Sequence, residues 1–217
     1  MKKFFALTII LLLSEFGAAQ SSDFSLWACY FGNYQVKSKW LVQSDIQYRL
    51  NQFANQNSQL LLRAGLGYNI KNNNHNLLVG FAYVDTRLEQ EETNTIEKRI
   101  YQQYVYRKKY KQFYTSHRVR MEERFFYSEF GLRSRYSFSF QRPLNNKQLK
   151  RQTIYAVASN EVFIDILNQK FDRNRLYGGI GYGLTGAIRL ETGFLIQTFK
   201  NITRGQLQLT IHNNLSF

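Results

Sequence analysis

The residues best equipped for chemistry in this sequence are charged side chains set two positions apart. Glu97 and Arg99; Arg118, Arg120, Glu122 and Arg124; Arg133 and Arg135; Arg173 and Arg175; and Arg189 and Glu191 all keep that spacing, with Arg63 and Glu161 in segments of the same kind. In an extended chain positions i and i+2 share a face, so the spacing lines guanidinium and carboxylate groups along one side of a strand. Such a row forms ion pairs, and a guanidinium left over holds a carboxylate or phosphate through its planar fork. Hydrolytic chemistry has less to work with. His75 lies in a turn, His117 is in phase with Val119 and Met121, and His212 is in phase with Asn214 and Ser216. At the usual strand rise His212 and Ser216 stand roughly 13 Å apart, too far for a base and its nucleophile. No catalytic residue is assigned, no metal-ligand cluster or glycine-rich phosphate loop stands out, and no cofactor is expected.

The elements that must carry these side chains repeat along the chain. Trp40, Val42, Ser44, Ile46, Tyr48 and Leu50 alternate with Leu41, Gln43, Asp45, Gln47 and Arg49. The same two-sided pattern recurs over Leu60 to Ile70, Leu132 to Gln141 and Gln206 to Phe217, and less cleanly over 24–33, 76–87, 96–108, 113–126, 152–164, 173–184 and 187–199. Period-2 alternation is the signature of strands with two unlike faces. Asn-, Gln-, Lys- or Gly-rich stretches separate the segments at 53–57, 71–75, 89–95, 144–150 and 168–172, and Thr185-Gly186 suits a tight hairpin. Eleven segments result. Bacterial barrels normally hold an even number of strands, so the reading expects ten to twelve. Either the first segment is not a full stave or one long segment hides two strands.

Three features set the apolar face outward, against lipid. The segments have the length of roughly 9 to 11 residues that a tilted strand needs to cross a bilayer. The polar face mixes arginines with glycines, as where Arg175 shares a side with Gly179, Gly181 and Gly183, and a crowded lumen gives those glycines a use as room for guanidinium groups. Aromatic residues make up 16% of the chain, enough for girdles at both membrane interfaces. On this reading the charged residues named above all line the lumen, where isolated charges must pair, bind ions or stay wet.

Composition fits. Lys2 and Lys3 precede an apolar run from Phe4 to Leu13 and the small residues Gly17, Ala18 and Ala19, which reads as a cleaved signal peptide over 1–19 and a barrel over 20–217. No later stretch is apolar enough for a helical span. One Cys, Cys29, permits no internal disulfide, and one Pro, Pro143, suits a chain made almost wholly of strands. The net charge is +14. Export and the alternation of basic with apolar residues argue against nucleic acid as a partner.

The order of short motifs is also specific. Trp27, the Trp40 to Arg49 strand, Leu62-Arg63-Ala64-Gly65-Leu66-Gly67-Tyr68, Glu97-Lys98-Arg99-Ile100-Tyr101, Arg118-Val119-Arg120-Met121-Glu122-Glu123-Arg124, Arg133-Ser134-Arg135, Asn160-Glu161 and Asn174-Arg175 together resemble the DUF2490 family of Bacteroidetes-type outer-membrane proteins. The resemblance implies an outer-membrane β-barrel of a Gram-negative bacterium with no established activity. The sequence therefore predicts an all-β, single antiparallel transmembrane barrel. Its partners are outer-membrane lipid, the barrel-assembly machinery, for which Phe217 is the terminal signal, and small anionic solutes. The expected role is structural or weakly anion-conducting rather than enzymatic. An outer-membrane lipid hydrolase and a soluble periplasmic binding barrel are the alternatives.

Overall fold

A computed structural model describes residues 25–51, 57–70, 74–88 and 94–216. The segment read as a signal peptide and the terminal Phe217 lie outside the described residues. Each alternating segment of the sequence becomes one strand: β1 (Ser25–Gln35), β2 (Trp40–Asn51), β3 (Asn57–Ile70), β4 (His75–Arg87), β5 (Thr95–Tyr110), β6 (Phe113–Phe125), β7 (Phe130–Pro143), β8 (Ile154–Asp165), β9 (Lys170–Gly183), β10 (Ile188–Thr198) and β11 (Thr203–Ser216). They run from 11 residues in β1 to 16 in β5, beyond the mode of about 5 to 6 for strands of globular proteins.

Neighbours in sequence pair antiparallel, and the sheet closes where β1 lies beside β11. That closing pair is parallel, from Ser25 opposite Gln206 to Gln35 opposite Ser216. This corrects the expectation of a purely antiparallel barrel, and it corrects both explanations of the odd count. β1 is a full stave, paired with β2 on one side and β11 on the other, and no long segment divides. With an odd number of up-and-down strands the first and last point the same way, so only a parallel ladder can join them. Parallel pairing is slightly weaker per residue, but an open barrel would leave two rows of unpaired backbone groups.

β1 runs from a lower rim to an upper rim. The upper rim therefore carries the β1–β2, β3–β4, β5–β6, β7–β8 and β9–β10 connections, and the lower rim carries the others. Lys111, with φ of 53°, turns the two-residue β5–β6 hairpin. The Thr185-Gly186 turn forms as the sequence suggests, Thr185 Oγ1 accepting from the amides of Ala187 and Ile188. Pro143 sits at the upper end of β7, opposite Tyr155. The β7–β8 connection folds inward instead of outward. Leu149 packs against the cluster of Trp27, Cys29, Tyr155 and Val157, and the carbonyl of Thr153 accepts from the amide of Gly183 at 2.9 Å.

The faces separate sharply. Leu66, Val79, Phe81, Ile180 and Phe194 are exposed outside, whereas Glu122 is 1% and Arg120 2% exposed within. Aromatic rings mark both outer rims, among them Trp40, Tyr104 and Tyr182 above and Phe125, Phe130 and Phe171 below. Not all rings face out. Trp27, Tyr101, Tyr155, Phe163 and Tyr177 are buried inside, and they change the account of the glycines. A Cβ on Gly181 would stand 2.1 Å from Cζ of Tyr155, and one on Gly80 2.4 Å from Cζ of Tyr101. Gly80 and Gly181 make room for tyrosine rings lying across the neighbouring strand, and Gly183 for the backbone of Lys150, rather than for guanidinium groups.

Candidate functional site

The lower half of the lumen is filled by ions. Glu122 on β6 takes Arg135 Nη1 on one oxygen and Arg133 Nη2 on the other, each at 2.5 Å, with Arg120 Nη1 at 3.6 Å and Arg99 Nη1 at 3.8 Å. Glu161 on β8 accepts from Arg135 Nη2 at 2.8 Å and Arg118 Nη2 at 2.7 Å, with Arg175 at 4.0 Å. Glu97 accepts both Nε and Nη2 of Arg99 at 2.7 Å and Nε of Arg124 at 2.5 Å. Asp172, the extra residue where the β8–β9 register shifts, joins Arg133 at 3.2 Å and Arg173 at 2.9 Å. The alternation of five neighbouring strands is what brings these groups to one level. A buried charge that lost its partner would be strongly destabilising, and each of these carboxylates has at least two arginine partners.

Carboxylates are too few for the guanidinium groups, and aromatic faces take up the difference. Phe163 lies under four arginines, Arg133, Arg135, Arg173 and Arg175, at 4.5 to 5.8 Å from its centroid. Trp27 receives Arg49 at 4.1 Å and Arg175 at 5.0 Å, and Tyr101 receives Arg120 at 4.4 Å. A cation over a ring face gains electrostatic attraction where water is excluded. Arg49 also donates to Gln47 and Gln59, Arg120 to Gln103, and Arg175 to Gln197. Salt bridges, rings and amides together form a septum across the lower lumen.

Above the septum the lumen is open. A cavity of about 230 Å³ is lined by Arg63, Arg118, Arg175, Ser137, Gln208 and His212 among others. It shares Arg118, Ser137, Ser139 and Ser159 with a second cavity of about 240 Å³, which shares Arg107 with a third of about 320 Å³ at the upper mouth beside Asn33, Asn69 and Arg189. The linings are mainly hydroxyls, amides and arginines, with the carboxylates Glu161 and Glu191 and an apolar wall of Trp27, Phe31, Val157 and Leu195 in the lowest of the three cavities. Nε of Arg63, of Arg118 and of Arg189 is buried without a hydrogen-bond acceptor among the described residues, and buried donors of this kind call for one.

The charged residues singled out in the sequence all take the inward phase of their strands, but they fall into separate groups. Arg99, Arg120, Glu122, Arg133, Arg135, Glu161, Arg173 and Arg175 build the septum, with Glu97 and Arg124 at its lower edge. Arg118 bridges septum and vestibule. Arg63 stands apart in an ion pair with Asp45 at 2.5 Å. Glu191 faces His212 Nε2 at 3.5 Å and accepts from Tyr155 OH at 3.2 Å, while Arg189 lies 5.8 Å from the Tyr155 ring. His212 stacks on Phe31 with centroids 5.4 Å apart. Its neighbours include a carboxylate and a phenyl ring, with Arg189 opposite it on β10.

With that geometry in view the comparisons decide the family. Residues 24–208 match the family described as protein of unknown function, DUF2490. The chain belongs to the DUF2490 family. The match spans β1 to β10 and the first residues of β11, so septum and vestibule both lie within the DUF2490 region apart from His212 and the upper half of β11. No curated protein and no solved structure matches the chain.

Several residues of this DUF2490 lumen went unnamed as charges in the sequence reading. Asp45 and Arg49 stand on the polar phase of β2 and Arg107 on the inward phase of β5, so alternation alone could have found them. Asp172 could not have been found that way, because the register shift at β8–β9 turns an out-of-phase residue inward.

Proposed function

We propose that the protein is an outer-membrane β-barrel whose lumen is a blind, positively charged vestibule that takes small acidic solutes from the upper side and holds them above the septum. The division of the lumen carries this reading: ion pairs and rings fill the lower half, and arginines lead from the mouth inward in the order Arg189 and Arg107, Arg118, then Arg63. Acidic sugars suit such a lining. Their carboxylates match a guanidinium fork, and their hydroxyls match Ser137, Ser139, Ser159 and Gln141. Membrane placement is supported by the exposed aliphatic exterior and the charged interior, the reverse of a soluble barrel.

Trp27 lines the 230 Å³ cavity and Trp40 lies outside on β2, so a Trp40→Phe protein reports from the lumen. Titration with glucuronate should change its emission and titration with glucose should not. Arg118→Gln should weaken the glucuronate response by about tenfold, the worth of one charge-assisted contact. Equal responses to the neutral and the acidic sugar would refute the vestibule.

A further inference from the structure

We infer that the upper rim, over the arc from β5 to the β7–β8 connection, binds the phosphate groups of lipid headgroups, so that the vestibule opens on the side of the leaflet carrying them. This rests on the membrane reading above.

The two rims differ in charge. The upper-rim segments 104–118 and 138–156 contain no Asp or Glu, yet they hold Lys108, Lys109, Lys111, Arg142, Lys147 and Lys150, all exposed. The lower rim is mixed, with Asp85, Glu129 and Asp165 beside Lys98, Lys170 and Lys200. Among the described residues no lysine joins an ion pair; the bridges use arginine and one histidine. The basic arc therefore lacks the counter-charge that the lumen supplies to its own arginines. Its cations rest on rings: Lys109 Nζ is 5.2 Å from the Tyr114 centroid and Arg142 5.6 Å from that of Phe113.

A boundary lies directly beneath. On the outer face Lys108 pairs across to Thr115 and on to Phe140, and the next row down is Tyr106, His117 and Phe138. His117 Nδ1 meets Tyr136 OH at 2.9 Å and His75 Nδ1 meets Tyr104 OH at 2.7 Å. Below them the outer positions include Val119, Met121 and Ile100, with Gln102 opposite Met121 and Glu123 opposite Ile100 satisfying one another through a hydrogen bond of 3.3 Å. Rings with hydrogen-bonded polar tips belong at the headgroup level. Lys108 one outer row above and Arg142 on the row beyond it stand at the depth of lipid phosphates, and a phosphate shared between them offsets their mutual repulsion.

The test is native mass spectrometry of the full barrel taken from phosphatidylcholine vesicles containing a minor share of lipid A, whose headgroup carries phosphate monoesters. The wild type should retain lipid A in preference to phosphatidylcholine, and an equal concentration of inorganic phosphate should not displace it. The variant Lys108→Gln, Lys109→Gln, Arg142→Gln should lose about 100-fold of that preference, each removed charge counting at the surface. A lower-rim variant, Lys98→Gln, Lys170→Gln, Lys200→Gln, should keep it. Insertion without preference, or a preference that both variants share equally with wild type, overturns the lipid site and leaves the membrane reading standing. Failure to insert into the vesicles overturns both.

Discussion

Glu122 and Arg135 meet at 2.5 Å across the β6–β7 ladder, two residues from being directly opposed, since Arg135 pairs with Arg120 and Glu122 with Arg133. The diagonal gives one carboxylate two guanidinium partners from the same strand. Removing that carboxylate leaves at least two buried cations without it. Glu122→Gln should cost about 3 to 5 kcal/mol, the range for breaking a buried pair from one side. Glu97→Gln should cost less, because its partner Arg124 is 23% exposed at the lower edge. Urea unfolding in detergent micelles measures both, and equal losses would mean that Glu122 is not the keystone of the septum.

The tyrosine rings crossing glycines predict a contrast on one strand. A methyl on Gly181 would meet the Tyr155 ring, whereas nothing lies within 4 Å of a Cβ built on Gly178. Gly181→Ala should destabilise by about 1 to 3 kcal/mol through overpacking. Gly178→Ala should be neutral or gain up to about 1 kcal/mol, because alanine loses less backbone entropy in a strand. The same unfolding midpoints decide it, and indistinguishable variants would argue that Tyr155 moves aside freely.

These two features mark what was legible in the chain. The inward phase of the charged residues followed from alternation, since a strand can point a side chain only two ways. The inward rings were readable on the same ground: Tyr101 lies between Arg99 and Gln103, and Phe163 lies two residues from Glu161. They were missed because aromatic content was credited wholly to the lipid face. Parallel closure was of another kind, because pairing between Ser25 and Gln206 depends on strand count and tilt around the whole barrel, and no local pattern encodes it. The division into septum and vestibule likewise depends on register, which sets which charges share a level.

A sealed lower lumen has an electrical consequence. The wild-type protein in a planar bilayer should pass no steady current, because the ring of Phe163 and four guanidinium groups occupy the path. Phe163→Ala removes the ring and leaves the arginines. That variant should conduct, with anions favoured over cations by the surplus positive charge. A cation-preferring current would contradict the inward placement of the arginines, and a steady wild-type current would contradict the septum.

The parallel seam can be tested with the cysteine the chain already has. Cys29 on β1 stands opposite Thr210 on β11, both inward and buried, and cross-strand neighbours of this kind bring Cα atoms within the roughly 4.4 to 6.8 Å that a disulfide spans. Thr210→Cys should therefore form a disulfide under mild oxidant, joining the first and last strands covalently. Gln208→Cys, opposite Trp27, should not, because two residues along the strand place its sulfur roughly 6.6 Å further off. Because Cys29 is the only cysteine, the bridged peptide identifies the register without ambiguity. Failure of Thr210→Cys to bridge in folded protein, or bridging through Gln208→Cys instead, would show that β1 and β11 do not close in this register.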